Sequence, residues 1–174
     1  MRKESILLVQ SNEGGKNMEY SIQPMTEDHL VSFCIIRNAC REYLHNDSWF
    51  SLRDVKEWFK TTNNIYYAIL DEEDNMVGYF RTSFYSSDYM YVGADIHPDY
   101  QNQGIASLLY PRFLDYIFND VGIGAVLEVL ETNERAIHLY EKLGFEHSPI
   151  PNVYPCVRSD GSKVKSLYMF MDRK

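Results

Sequence analysis

Residues 91–145 read YVGADIHPDYQNQGIASLLYPRFLDYIFNDVGIGAVLEVLETNERAIHLYEKLGF. This stretch divides into a strand, a glycine-containing turn, a long amphipathic helix, a second apolar strand and a second helix. Tyr89 to Ile96 is rich in β-branched and aromatic residues, and Pro98 stops the ladder. Gln101-Asn102-Gln103-Gly104-Ile105-Ala106 then leads directly into the first helix. Such an order makes an anion site. The first four amides of a helix lack internal partners, and the aligned peptide dipoles leave roughly half a positive charge at its start. Gly104 and Ala106, with little or no side chain, let a pyrophosphate approach the backbone closely.

The spacing is neither a dinucleotide fingerprint, which needs GxGxxG, nor a P-loop, which needs Gly-Lys-Ser/Thr. In the second half, Asn133 stands where a helix should begin and can cap its open amides. Ala136, Leu139, Tyr140 and Leu143 follow at i, i+3, i+4 and i+7, one face of one helix, and Gly144 supplies a left-handed stop. Tyr140 therefore points inward.

Together the two halves resemble the GNAT superfamily of acetyl-CoA-dependent N-acetyltransferases. Gln101, Gly104 and Ala106 match its Gln/Arg-x-x-Gly-x-Gly/Ala loop. Asn133, Ala136, Tyr140, Gly144 and Phe145 match its Asn-x-x-Ala-x-x-x-Tyr-x-x-x-Gly-Phe signature. The likeness covers roughly residues 18–172. It implies an α/β fold with a mixed central sheet, a splayed parallel pair of strands, helices on both faces and a C-terminal hairpin. It also implies acetyl-CoA as co-substrate, with no metal. The co-substrate would be held by Ile96, His97, Gln101, Asn102, Gln103, Gly104, Ile105, Ala106, Ser107, Asn133, Ala136 and Tyr140, with amides near Ala94 and Ile96 on the thioester carbonyl. Tyr140, otherwise a core aromatic, resembles the family's general acid.

Two departures from the family pattern stand out. Asn102 and Gln103 bring no charge where the family often carries Lys or Arg. Met90 occupies the place of the glutamate base found in lysine-directed members, which leaves Asp95 and Glu128 as base candidates. Glu128 could equally be a structural partner of Arg135.

The chain has 174 residues, enough for one domain, with 45% hydrophobic residues for its core. Its net charge of −8 and lack of a Lys/Arg cluster argue against nucleic acid and for amine acceptors. Three cysteines, Cys34, Cys40 and Cys156, have neither CxxC nor zinc spacing and suit a reducing cytoplasm. No stretch approaches ~18 apolar residues, so no membrane span is expected. Residues 1–17 read as a flexible extension to a domain over 18–174. Ser11 to Asn17 would be a polar, Gly-rich link and Met18 an alternative start, while the run Ile6-Leu7-Leu8-Val9 could instead add an edge strand.

Thr26 to His29 opens a helix with a capping hydroxyl and acidic first turn, and two further helical pieces lie between Ala39 and Phe59, broken at 45–48. In the family this region covers the acceptor. Arg37, Asn38, Tyr43 and Trp49, with Tyr91 from the central strand, are the candidate substrate contacts. His45 and Asp47 are weaker ones, more often solvated loop residues. Asp71 to Asn75 reads as the tip of a hairpin, and Ser159-Asp160-Gly161-Ser162 as the turn of a closing hairpin between 153–157 and 164–171. Pro111 sits inside the helix after the loop and should bend it.

The expected function is acetyl transfer to a primary amine of a small molecule, an amino sugar or nucleotide-linked amino sugar first. The alternatives are a peptide or protein N-terminus, a polyamine, an aminoglycoside, or a non-catalytic acyl-CoA sensor. A homodimer is the expected assembly.

Overall fold

The computed structural model describes residues 6–13 and 16–173. In chain order these form β1 (Leu7–Glu13), β2 (Lys16–Pro24), α1 (Leu30–Ala39), α2 (Leu52–Thr61), β3 (Ile65–Leu70), β4 (Met76–Phe84) and β5 (Tyr89–Ile96). Then come α3 (Ile105–Tyr116), β6 (Gly124–Leu130), α4 (Glu134–Leu143), β7 (Glu146–His147), β8 (Cys156–Val157), β9 (Lys163–Val164) and β10 (Ser166–Met171). One sheet of eight strands runs in the order β1-β2-β3-β4-β5-β6-β10-β7. Every pairing in it is antiparallel except β5 with β6. That exception follows from the helical crossover α3, which returns the chain to the same end of the sheet.

Strand alternation sends two kinds of residue to the two faces. On one, Phe80, Val92, Leu127, Val129 and Met169 pack against Leu109 and Phe113 of α3 and Tyr140 of α4. Phe80 and Phe113 stack at 4.1 Å between centroids, and each such buried side chain stabilises the fold by about 1.5–3 kcal/mol. On the other, Tyr79 packs with Leu30, Phe33 and Ile36 of α1 and Val55 of α2. The second face is the more polar one. The pairs Tyr79↔Asp95, Arg81↔Gly93 and Ser83↔Tyr91 put all six residues on it.

Capping sets the helix starts. Ser51 and Asp54 exchange hydrogen bonds as a capping box, so α2 begins at Leu52 as one ten-residue helix. Ahead of it the chain makes only a 3₁₀ turn over Arg41–Tyr43, where a second helical piece was expected. Pro111 lies within α3, and the carbonyl four residues before it, that of Ser107, belongs to an exposed residue that solvent can reach.

Two further elements take a definite form in the structure. Leu7–Glu13 pairs in register with β2 from Leu7↔Ile22 to Glu13↔Lys16, so of the two readings of the apolar run the edge strand is the one found. Residues 1–5 of the expected extension, with Gly14 and Gly15 of the expected link, lie outside the described residues. The closing hairpin is found around residues 159–162 as β8 and β9, with two paired residues each. β10 instead joins β6 on one side and β7 on the other, because its alternating SLYMFM buries Met169 and Met171 in the α3 face. The Asp71–Asn75 hairpin is found, with β3 and β4 paired antiparallel around it. Among the described residues no helix is long and apolar enough to cross a membrane.

Candidate active site

The parallel strands β5 and β6 pair only at Tyr89↔Gly124, Met90↔Ala125 and Tyr91↔Val126, and then part. The Gly124 amide donates to the Asp88 carbonyl at 2.8 Å, while the His97 amide donates the other way, to Val77 of β4, at 2.9 Å. Even-numbered residues of β5 therefore turn their peptide groups toward β6. Past Tyr91 no strand meets them, and the amides of Ala94 and Ile96 open into the gap. A cavity of about 220 Å³ fills it, bounded by β5, the start of α3 and the inner face of α4.

At its mouth the turn before α3 is left-handed twice, at Asn102 (φ 61°) and at the helix cap Gly104 (φ 75°). The first i to i−4 bond of α3 is from Leu108 to Gly104, so the amides of Ile105, Ala106 and Ser107 have no partner within the helix. Arg135, on α4, donates to Asn102 Oδ1 at 3.2 Å and to Gln101 Oε1. It brings to the loop a charge that the loop's own sequence lacks. Arg135 is thus not the partner of Glu128. Asn133 lines the cavity and caps α4 through the Ala136 amide at 3.3 Å. Gln103 and His97 are not in the lining of this cavity: Gln103 donates to the Asp99 carbonyl at 2.9 Å, and His97 Nδ1 accepts from the Asp99 amide at 3.2 Å.

Deeper in stand Tyr110, Tyr140 and Asp95. Tyr140 is 9% exposed and meets Tyr110 edge-on at 5.6 Å. Burial, and then the Asp95 charge, push its phenol up to about 12. The Tyr110 hydroxyl is buried with no hydrogen-bond partner, as is one carboxylate oxygen of Asp95. Burial raises the Asp95 pKa, and the pull of Arg81, the Tyr79 hydroxyl and Arg37 in the other direction is the weaker effect.

A second cavity, of about 500 Å³, opens on the polar face of the sheet under α1, α2 and the 44–50 segment. Glu128 stands in it, accepting from the Tyr91 hydroxyl and Asn152 Nδ2, each at 3.2 Å, and from the Ser166 hydroxyl, with His45 Nε2 at 3.0 Å. Burial alone would raise its pKa, but these donors hold it down at about 2. Arg37 lines the same cavity, donating to the carbonyls of Asn46 and Ser48 while its guanidinium lies 3.9 Å over the Phe50 ring. Asn38 pairs with the Phe50 backbone at 2.7 and 3.0 Å and shapes the wall from behind. Tyr43 lines the first cavity instead. Trp49 is 67% exposed and lines neither. Asp47 ties its segment to Ser159 and Arg158.

Sequence reasoning missed Trp58, Tyr66, Arg81, Tyr110 and Arg135. Arg81 carried a signal, since a charge amid the alternation of MVGYFRTSF marks a face that is not simply core. Tyr110 and Arg135 carried none, because each matters only through what folds against it. Among the described residues no cluster of His, Cys, Asp or Glu could hold a metal ion.

The profile of the Acetyltransferase (GNAT) family matches residues 30–145. Mycothiol acetyltransferase of Rhodococcus jostii is 32% identical over 102 residues, which is 54% of this chain and 33% of that protein. Spermidine N(1)-acetyltransferase of Vibrio cholerae is 31% identical over 84 residues, 45% of this chain and 47% of that protein. The chain thus spans less than half the length of either of these relatives. The crystal structure of a Vibrio cholerae spermidine N-acetyltransferase, in complex with CoA and spermine, superimposes with a TM-score of 0.77 at 20% identity, covering 88% of this chain and 95% of that one.

Proposed function

Because the chain belongs to the GNAT acetyltransferase family, we propose that it transfers the acetyl group of acetyl-CoA to a primary amine of a small molecule. The observation that carries this is the free edge of β5 running straight into the open start of α3. The co-substrate supplies an acetyl group activated as a thioester. For its phosphates the chain offers the amides of Ile105, Ala106 and Ser107, with Arg135 beside them. For its extended amide-bearing arm it offers the edge of β5 and the unpartnered Tyr110 hydroxyl, which asks for an acceptor.

Two proton roles follow from the environments. Asp95, its pKa raised by burial and one oxygen unpartnered, is the better base of the two candidates. Glu128, at about 2, holds a proton too weakly. Tyr140 keeps its proton throughout the physiological range and so serves as a hydrogen-bond donor to the leaving sulfur.

For the acceptor, the relative named for spermidine supports an aliphatic amine over a nucleotide-linked amino sugar. A homodimer belongs to the same reading, supported by the exposed side chains of Ile150, Val153 and Tyr154 on one segment. The test is thiol release from acetyl-CoA across a panel of amines, with product masses. Release with a matching acetylated product is expected. If acetyl-CoA causes neither release nor a rise in melting temperature, the reading fails. A melting shift with no turnover on any amine would favour a non-catalytic acyl-CoA sensor.

A further inference from the structure

The 500 Å³ cavity contains a cation that no carboxylate touches. Arg81 extends from the middle of β4 into it. The side chain lies against Gly93 so closely that a Cβ there would sit 2.6 Å from its Nε and 3.2 Å from its Cζ. Gly93 is therefore the residue that lets Arg81 lie down along the strand. Among the described residues, no carboxylate oxygen comes within 4.0 Å of this guanidinium. The acids that could serve it do not reach. Glu128 is already surrounded by Tyr91, Asn152, Ser166 and His45. Asp95, one strand over, attracts the guanidinium from a distance but leaves one oxygen buried and unpartnered rather than turning it to Arg81. The other arginine of the cavity, Arg37, is occupied by two backbone carbonyls and the Phe50 ring. Arg81 is half-buried, and a partly desolvated charge without a contacting counter-ion gains from a ligand that supplies one.

We infer that the acceptor is a short zwitterionic amine whose carboxylate, or an equivalent oxyanion, is held by Arg81 in this cavity while its amino group reaches toward Asp95 in the lining of the first one. The inference rests on the acetyl-transfer reading of the same site and narrows its substrate class. Spacing supports it. Gly93, under the guanidinium, and Asp95 are two residues apart on one strand, roughly 7 Å. Two charge-assisted hydrogen bonds of about 2.8 Å each take up most of that distance, so they must lean outward from the strand, and the amine and carboxylate they bracket must be close together, as in an α-amino acid. The fork of the guanidinium is suited to two parallel bonds to one carboxylate. A polycation would meet Arg37 and Arg81 on one wall, and its gain from the saturated Glu128 would be small. Trp58, Phe33, Phe50 and Tyr66 supply apolar walls that suit a carbon side chain on the acceptor.

The test compares glycine, alanine, phenylalanine and 4-aminobutyrate with their carboxamides and with spermidine. Acetyl-CoA-dependent thiol release gives turnover, and melting shifts in the presence of coenzyme A give binding. The free acids are expected to be used at least 10-fold better in kcat/KM than their amides. In Arg81→Gln that ratio should fall toward unity, chiefly through KM, and in Arg81→Lys it should fall less. The melting transition of Arg81→Gln without ligand shows whether the variant is folded, and the wild-type comparison of acid with amide does not depend on it. Equal use of acid and amide, preference for spermidine, or no melting shift with any free acid would overturn the inference. Thiol release from spermidine alone would do so while leaving acetyl transfer intact. Failure of acetyl-CoA itself to bind would instead sink the reading on which the inference rests.

Discussion

Tyr91 donates a hydrogen bond to Glu128 over 3.2 Å, from the last residue of β5 that pairs with β6 to the residue two beyond the last paired position of β6. It stitches the sheet at the point where the two strands part. One contact thus closes the base of the gap and sets the floor of the polar cavity. The Tyr91 phenol is pushed up, by burial first and then by the Glu128 charge, and stays a donor.

Glu128 ties fold stability to acid. Its carboxyl falls from an ordinary 4.5 to about 2 in the folded protein. The stability it contributes is therefore full above pH 4.5 and is lost as pH falls from there toward 2. A tenfold change in acid strength corresponds to about 1.36 kcal/mol, which makes that contribution on the order of 3 kcal/mol at neutral pH. Urea unfolding at pH 7, 5, 4 and 3 should show Glu128→Gln less stable than the parent at pH 7, with the difference narrowing toward pH 3. A constant difference would rule out the linkage.

Asp95 should behave in the opposite way. A carboxyl whose pKa is higher in the folded state keeps its proton longer there, so the fold loses stability as pH rises from the unfolded value of 3.8 through the folded one. Asp95→Asn is expected to melt higher than the parent at pH 7 while kcat falls about 10²-fold. Loss of activity without any gain in melting temperature would leave the base role standing and refute the burial penalty.

Tyr140→Phe keeps the ring that packs against Tyr110 and Phe145 and removes only the donor. Turnover should drop by about 10²-fold or more, with the KM for acetyl-CoA within threefold of the parent. Because the phenol sits at about 12, the parent's rate should show no descending limb from this group below pH 10. Full turnover in the variant would remove Tyr140 from the reaction.

Gly104 occupies φ 75°, a region that costs an ordinary residue roughly 1–2 kcal/mol and a β-branched one more. Gly104→Val should abolish the melting shift given by coenzyme A, since it distorts the turn and covers the α3 amides. Arg135→Gln, which leaves the turn in place, should weaken that binding about 3- to 10-fold and reduce its sensitivity to salt. Unchanged affinity in Gly104→Val would refute the loop as the phosphate site.

The sequence by itself determined the local elements around residues 91–145. Strand composition, Pro98, the Gly104 turn, the Asn133 cap and the Gly144 stop are all signals that act within a few residues, and each is found where it was read. The inward face of α4 followed from helical period alone, which is why Tyr140 was legible. Where β1 and β10 pair was not legible, because a two-residue period tells which face is buried and not which neighbour supplies the hydrogen bonds. The composition of the cavities was a matter of tertiary structure for the same reason. Arg135 reaches the loop across 33 residues to Asn102, and Glu128 gathers Tyr91, Asn152 and Ser166 from three separate segments. Arg81 lies along Gly93 only because antiparallel register sets them opposite. Burial and charge pairing depend on such non-local neighbours, so the tertiary structure alone decided which carboxylate is held as a strong acid and which is left with a raised pKa.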